Sequence, residues 1–325
     1  MRVLITGGAG FLGGYVARRL SSLGHSVVVY DEAVPPPESG LPAEVVVVQW
    51  SVLDRVALVD TMDTHRIDRV VHLATLLTGA CAEDPAQGAL VNGVGTATVF
   101  DAAWQAGVRR VVYGSSVAAL GYQSEPAPGD TAMLNPTSVY GATKAFAEML
   151  AGALRTERPE QELVGLRFGW VYGAGRVRGW TALQEMIEAF ALGRDEVPYP
   201  DYDRPNDWTY VDDAVDAVVR CLDSPRPSVP AYNAPGAYRA VQDAAAHLGS
   251  RFPDARPVPY PAELPPVAWD FRLDRIAHEA GYRPRVPLEM GLDLAVAAVR
   301  RERGLPPMDI DNLPEDSAVH EEALP

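Results

Sequence analysis

A tyrosine and a lysine stand four residues apart in Tyr140-Gly141-Ala142-Thr143-Lys144. On a helix that spacing sets both side chains on one face. An ammonium beside a phenol favours the phenolate and draws its pKa down from an ordinary value of about 10. Such a pair gives and takes a proton near neutral pH, which suits oxidation of an alcohol or reduction of a ketone. Alone, the spacing describes an amphipathic surface helix equally well. A second signature, at the N-terminus, raises it.

Val3-Leu4-Ile5 is a short apolar run of the kind a buried parallel strand needs. Thr6-Gly7-Gly8-Ala9-Gly10-Phe11-Leu12-Gly13 follows at once, and residues 15–20 read as a helix. Gly7, Gly10 and Gly13 allow a tight turn, close backbone approach to a pyrophosphate and close helix–strand packing. The helix aims its first N–H groups and positive dipole end at the phosphates. Strand, glycines and helix in this order form a dinucleotide-binding signature. A second strand at 26–30 ends in Asp31, 18 positions after Gly13. A carboxylate there accepts from the adenosine ribose hydroxyls and repels a 2′-phosphate, which favours NAD over NADP. Glu32 adds negative charge, while Arg18 and Arg19 are the cations that would serve a 2′-phosphate instead.

The elements that must hold these groups alternate along the first half. Strand signals at 45–48, 70–74, 110–113 and 163–167 interleave with helix signals at 96–106 and 140–154. This predicts an α/β fold, a Rossmann-type doubly wound parallel sheet with right-handed crossovers. Past residue 170 the pattern loosens into helices at 181–192 and 212–222 and Pro-rich stretches at 224–230 and 257–266. We expect an NAD-binding Rossmann domain over 1–170, with sheet and helix contributions from about 205–225. A smaller, mixed, discontinuous C-terminal substrate lobe would occupy 171–305, over the carboxyl ends of the strands where ligands bind. An acidic tail at 306–325 would fray or wrap the surface.

Composition narrows the function class. With 325 residues, 47% of them hydrophobic, the chain buries a large core. A net charge of −15 argues against nucleic acid or an anionic membrane as partner. Cys81 and Cys221, far apart, provide neither a disulfide framework nor a metal site. Without a signal-like or membrane-length apolar run, a cytoplasmic protein with a small-molecule substrate is expected.

Further motifs follow in order: His72-Leu73-Ala74-Thr75, Asn92-Gly93-Val94-Gly95-Thr96, Gly114-Ser115-Ser116, Leu166-Arg167-Phe168, Val171-Tyr172-Gly173, and Asp207-Trp208-Thr209-Tyr210-Val211-Asp212-Asp213. Over residues 1–300 the chain resembles the extended short-chain dehydrogenase/reductase family, which includes the NAD-dependent epimerases and dehydratases. The resemblance implies that Tyr140 exchanges a proton with the substrate oxygen while hydride moves to or from the nicotinamide. Lys144 would hold the nicotinamide ribose, and Ser116 would hydrogen-bond the substrate oxygen, with Ser115 the adjacent alternative. Asn92 is either a helix N-cap or a structural residue of the cofactor loop, and both roles are compatible. The implied cofactor set is Gly7, Gly10, Phe11, Leu12, Gly13, Asp31, Ser51, Val52, Leu73, Ala74, Thr75, Asn92, Tyr140, Lys144 and Phe168. Thr75, Ser116, Trp170, Arg176 and Trp208 would face substrate; no metal is expected.

Departures from the nucleotide-sugar branch limit the substrate. Trp170 stands where that branch commonly has a substrate-contacting Asn. Asn206 stands where it has a diphosphate-contacting Arg, although Arg204 is two positions away. Ser51-Val52 occupies a place where an Asp often meets adenine, and residues 115–121 lack the usual Val-Tyr-Gly. No Thr-Asp-Glu follows the catalytic strand, which disfavours elimination of water. A diphosphate needs cations or N–H donors, for which Arg176, Arg178, Arg204 and Arg283 are available, although each alone reads better as a solvated surface residue. Trp170, Trp180 and Trp208 either narrow a pocket or pack a core.

The leading expectation is an NAD-dependent oxidoreductase acting on a secondary alcohol of a sugar, sugar acid or small polar metabolite. Alternatives are a nucleotide-sugar epimerase, an L-threonine dehydrogenase-like small-substrate enzyme, and a non-catalytic NAD-binding regulator. The family resemblance also implies a homodimer through helices 92–106 and 140–154, with Ala97, Ala102, Ala103 and Ala106 leaving room for close packing.

Overall fold

The structure is a computed structural model that describes residues 1–36, 39–179, 181–263 and 269–308. Trp180 and the tail from 309 onward lie outside the described residues, as do 264–268 of the Pro-rich stretch.

Alternation along each buried strand sends successive side chains to opposite layers, and the strand β1 (Arg2–Thr6) shows it. Val3 and Ile5 join one core layer and Leu4 the other. After β1 come α1 (Phe11–Ser22), β2 (Ser26–Asp31), β3 (Val46–Gln49), α2 (Arg55–Thr64) and β4 (Arg69–His72). Two short helices, α3 (Thr78–Glu83) and α4 (Pro85–Gly88), lead through a π-helical stretch (Ala89–Val94) into α5 (Gly95–Gln105). Then β5 (Arg110–Ser116), α6 (Val139–Glu157) and β6 (Glu162–Phe168) complete the first half.

The second half runs β7 (Trp170–Tyr172), α7 (Ala182–Ala191), β8 (Glu196–Asp201), β9 (Asn206–Tyr210), α8 (Val211–Asp223) and β10 (Ala231–Asn233). It ends with β11 (Ala237–Arg239), α9 (Val241–Arg251), β12 (Arg256–Pro261), α10 (Asp274–Ala280) and α11 (Leu288–Glu302).

Seven strands form one parallel sheet in the order β10-β6-β5-β4-β1-β2-β3. Helices α1 and α8 pack on one layer, and α2 and α5 on the other. Strand order reverses at β1, which lies between β2 and β4 and opens a crevice beyond its carboxyl end.

The sheet contribution expected from 205–225 is corrected in one respect. Helix α8 packs on the main sheet, but β9 pairs with β7 and β11 in a separate three-stranded sheet. The seventh strand of the main sheet is β10, in register with β6. The cause is a departure at Gly169: Phe168 still pairs with Ser116 of β5, while Trp170 already pairs with Trp208 of β9. A two-stranded β8–β12 sheet completes the lobe. Tyr172, Phe190, Leu248 and Leu292 of the lobe belong to the same core as Val3 and Ile5, so the lobe is fused to the sheet. Among the described residues no helix is long and apolar enough to cross a membrane, and no acid, His and Cys group is arranged to hold a metal.

Candidate active site

The crevice floor is made where two backbones touch. Gly7 has φ 74°, and a Cβ on it would stand 2.5 Å from the Ala74 nitrogen. A Cβ on Gly13 would stand 2.2 Å from the Gly7 carbonyl oxygen. Glycine is required at both for the β1–α1 turn to lie against the Leu73-Ala74 segment after β4. Helix α1 begins at Gly10 with no side-chain cap and no acid in its first turn, so its leading N–H groups suit an anion. Asp31 Oδ2 accepts from Ala9 N–H and Oδ1 from Ala33 N–H, both at 3.0 Å. Each oxygen keeps a lone pair that suits a ribose hydroxyl. Arg18 donates to the Ser39 carbonyl at 2.5 Å and stacks on Tyr15, so this candidate for a 2′-phosphate is engaged. Phe11 meets Tyr15 edge-on, and Leu12 packs partly into the core.

The adenine-side candidates lie at the start of α2. Ser51 offers its carbonyl to the Tyr30 hydroxyl, and Val52 is buried against Gly95. The nearby acid Asp54 caps α2 and accepts from the Trp50 indole, so it serves the fold. His72 is also structural: its nitrogens meet Thr6 Oγ1 at 2.6 Å and Thr96 Oγ1 at 2.9 Å, and burial pushes its pKa down to about 3. It is neutral.

Asn92 is not a helix N-cap. It lies inside the π-helical stretch between α4 and α5, where no chain end exists to cap. Its Oδ1 accepts from Leu76 N–H at 2.7 Å and its Nδ2 donates to the Leu76 carbonyl at 2.9 Å. Nδ2 also reaches Thr143 Oγ1 at 3.1 Å. This amide clamp fixes the loop 73–77 to α6, the structural half of the expectation. Thr75 lies within that loop and donates to the Leu76 carbonyl at 3.3 Å.

Ser138 caps α6 by accepting from Gly141 N–H at 3.0 Å, which places Tyr140 in the first turn. A Cβ on Gly141 would stand 2.3 Å from the Ala118 carbonyl oxygen, in the turn that follows Ser116. That contact draws Tyr140 up to Ser116, close enough for the serine hydroxyl to act on the phenol. Ser116 also accepts from Ala118 N–H at 3.2 Å. Ser115 is excluded as the alternative because it is buried and donates to Glu148 Oε1 at 2.5 Å. Lys144 is buried, donates to the Gly114 carbonyl at 2.8 Å, and lies 5.5 Å from the centre of the Tyr140 ring.

The electrostatics correct one expectation. Burial pushes the Tyr140 phenol up to about 12, opposed by the Ser116 hydrogen bond and by the charge of Arg176. Burial pushes Lys144 down to about 8. Against the upward push on Tyr140, the Ser116 hydroxyl and the Arg176 charge favour the phenolate.

Glu148 is a functional neighbour that motif reading misses, although it extends the stripe from Tyr140 through Lys144 by one more turn. It is buried against Arg167 of β6, with Nη2 to Oε2 at 2.6 Å. Arg167 also donates to the Asp130 carbonyl at 2.9 Å and to Asn233 Oδ1 at 3.1 Å. Four segments meet at this guanidinium: α6, β6, β10 and the loop after β5.

On the substrate side, Trp170 is partly buried and packs on Trp208 with ring centroids 6.4 Å apart. Trp208 is buried and donates its indole N–H to the Arg239 carbonyl at 3.0 Å, which is the core-packing arrangement. Phe168 is buried at the end of β6. Asn206 is fully buried, and among the described residues neither its amide atoms nor the Asp207 carboxylate finds a hydrogen-bond partner; burial holds Asp207 far above the carboxylate range. Arg176, half-buried, is close enough to Tyr140 for its charge to act on the phenol.

The model of the NAD dependent epimerase/dehydratase family matches residues 3–234. The UDP-glucose 4-epimerase of Rhizobium meliloti (strain 1021) is 30% identical over 244 residues, 68% of this chain and 72% of that one. The solved UDP-glucose 4-epimerase of Thermotoga maritima with UDP-glucose superposes with TM-score 0.83 at 26% identity, covering 93% of this chain and 100% of that one. The Thermus thermophilus UDP-glucose 4-epimerase complex with NAD gives TM-score 0.79 at 26% identity, covering 92% and 99%.

Proposed function

This chain belongs to the NAD-dependent epimerase/dehydratase family, and on that premise we propose that it oxidises a secondary alcohol of a small, sugar-like molecule. The observation that carries the reading is the meeting of Ser116, Tyr140 and Lys144 at the crevice beyond β1, β4 and β5. The Gly7–Gly13 junction, the uncapped start of α1 and Asp31 fit NAD, which supplies the two-electron acceptor when bound. Ser116 and Tyr140 hold the substrate hydroxyl between them, and Tyr140 takes its proton as the carbonyl forms. Lys144, anchored on Gly114, holds the nicotinamide ribose. Asn92 keeps the loop 73–77 closed over this group.

Trp170 and Asn206 support a substrate without a nucleoside diphosphate, because neither supplies a cation. The second reading, a nucleotide-sugar epimerase, is supported by relatives named UDP-glucose 4-epimerase. Incubation with NAD and panels of free sugars, sugar acids and UDP-sugars separates the two. Accumulating NADH with free sugars or acids is the expected result. Interconversion of UDP-sugars with no NADH would replace it by the epimerase.

We also propose a homodimer. Leu90, Val94, Val139, Phe146 and Met149 are exposed on the π-helical stretch and α6, with Met149 at 68%. Ala102 and Ala103 lie on the buried side of α5 and do not contribute to that face, contrary to expectation. Light scattering is expected to give twice the chain mass for wild type and the single mass for Phe146→Asp/Met149→Asp. A wild-type monomer would contradict this surface assignment.

A further inference from the structure

Arg176 owes its position to the turn after β7. The backbone bends at Gly173 and Gly175, with φ 149° and 82°. Between them, buried Ala174 accepts from the Tyr15 hydroxyl at 3.1 Å. Arg176 N–H closes back on the Gly173 carbonyl at 3.4 Å. The guanidinium then lies beside Gly179, whose Cβ position is 3.4 Å from Nη2 and 3.1 Å from Leu77 Cδ1. Leu77 continues the loop that Asn92 clamps.

Among the described residues nothing neutralises this cation. Arg176 Nε is buried without a hydrogen-bond partner. The group it acts on there is the Tyr140 phenol, which is uncharged at neutrality, and no carboxylate among the described residues pairs with it. Arg178, two positions on, is exposed and solvated. Removing a guanidinium from water without a counter-charge is costly, and a ligand anion offsets that cost. A guanidinium presents a planar fork that matches a carboxylate in two parallel hydrogen bonds. One guanidinium matches the single charge of a carboxylate, whereas a diphosphate calls for further cations or N–H donors.

We propose that Arg176 is a carboxylate clamp, and that the substrate is a small hydroxy acid held by Arg176 at one end and by Ser116 and Tyr140 at its hydroxyl. This rests on the oxidoreductase reading above. The carboxylate is a handle and does not react. Its carbinol carbon yields hydride to bound NAD⁺, the hydroxyl proton passes to Tyr140, and the C–O single bond becomes a carbonyl.

Matched pairs test it: hexuronates against hexoses of the same configuration, and short hydroxy acids against the corresponding diols, with hexose phosphates as a third set. NADH formation is followed alongside tryptophan-fluorescence titration of the NADH-bound enzyme. At least one acid is expected to surpass its neutral partner in both readouts. Arg176→Met is expected to cut kcat/KM for that acid roughly 10- to 100-fold more than for its neutral partner, with the extra loss in KM and a smaller, shared loss in kcat from removing the charge that acts on the Tyr140 phenol. Arg176→Lys should recover part of the loss. The clamp is overturned if no acid binds more tightly than its neutral partner, if Arg176→Met weakens both alike, or if phosphates are preferred. An acid that binds through Arg176 and yields no NADH keeps the clamp and sinks the oxidoreductase reading.

Discussion

Tyr140→Phe is expected to slow alcohol oxidation by about 10³-fold, within the range of a single positioned acid–base group, and to leave NAD binding unchanged. The phenol oxygen is the proton acceptor, while the ring, which remains, lies 5.5 Å from Lys144. A phenol pushed up to about 12 is almost wholly protonated at neutrality. Proton acceptance by phenolate therefore makes the wild-type oxidation rate climb as pH rises from 7 toward 10. Lys144, pushed down to about 8, titrates inside that interval and bends the profile there. In the variant the climb should disappear together with the rate. Stopped-flow absorbance of NADH against pH measures both. A variant as fast as wild type on an authentic substrate would remove Tyr140 from the chemistry.

Arg167→Met is expected to destabilise the fold by about 3–5 kcal/mol, the cost of stranding one member of a buried ion pair. Glu148 would be left buried and charged, with the Ser115 hydroxyl at 2.5 Å still donating to it. Loss of Arg167 also releases the carbonyl of Asp130 and the amide of Asn233. Replacing both members by apolar residues, Glu148→Leu with Arg167→Met, should recover much of the loss because no buried charge remains. Urea midpoints for the two singles and the double decide it. A single variant within about 0.5 kcal/mol of wild type, the scale of an ordinary surface change, would mean that water reaches the pair. Because Glu148 shares its helix with Tyr140 and Lys144, activity should fall with stability in the single variant and return with it in the double.

The main sheet is legible in the sequence because its strands are buried on both faces. Runs such as Val3-Leu4-Ile5 and Arg110-Val111-Val112-Tyr113 have few other uses. The proton-transfer stripe is equally readable, since helical spacing alone sets Tyr140 over Lys144. Three features require tertiary information. Asn92 resembles a cap because the sequence cannot show that the chain is already helical before it. The upward shift at Tyr140 comes from burial by segments remote in sequence, while the Lys144 spacing suggests the opposite sign. Strand β9 reads as part of the main sheet because Asp207-Trp208-Thr209-Tyr210 has a strand's composition, and composition does not name a strand's neighbour. Glu148 carries a usable signal, the same four-residue step continued once more.

Gly169 is the single residue between a strand aligned with Ser116 and one aligned with Trp208. On its upstream side lie every group that handles the proton, all fixed to the parallel sheet. On its downstream side lie Trp170 and Arg176, which belong to the lobe. Reaction and recognition thus sit on opposite banks of one peptide junction. Grafting the segment after Gly169 from a relative is a way to change which molecule is accepted without rebuilding the machinery that oxidises it.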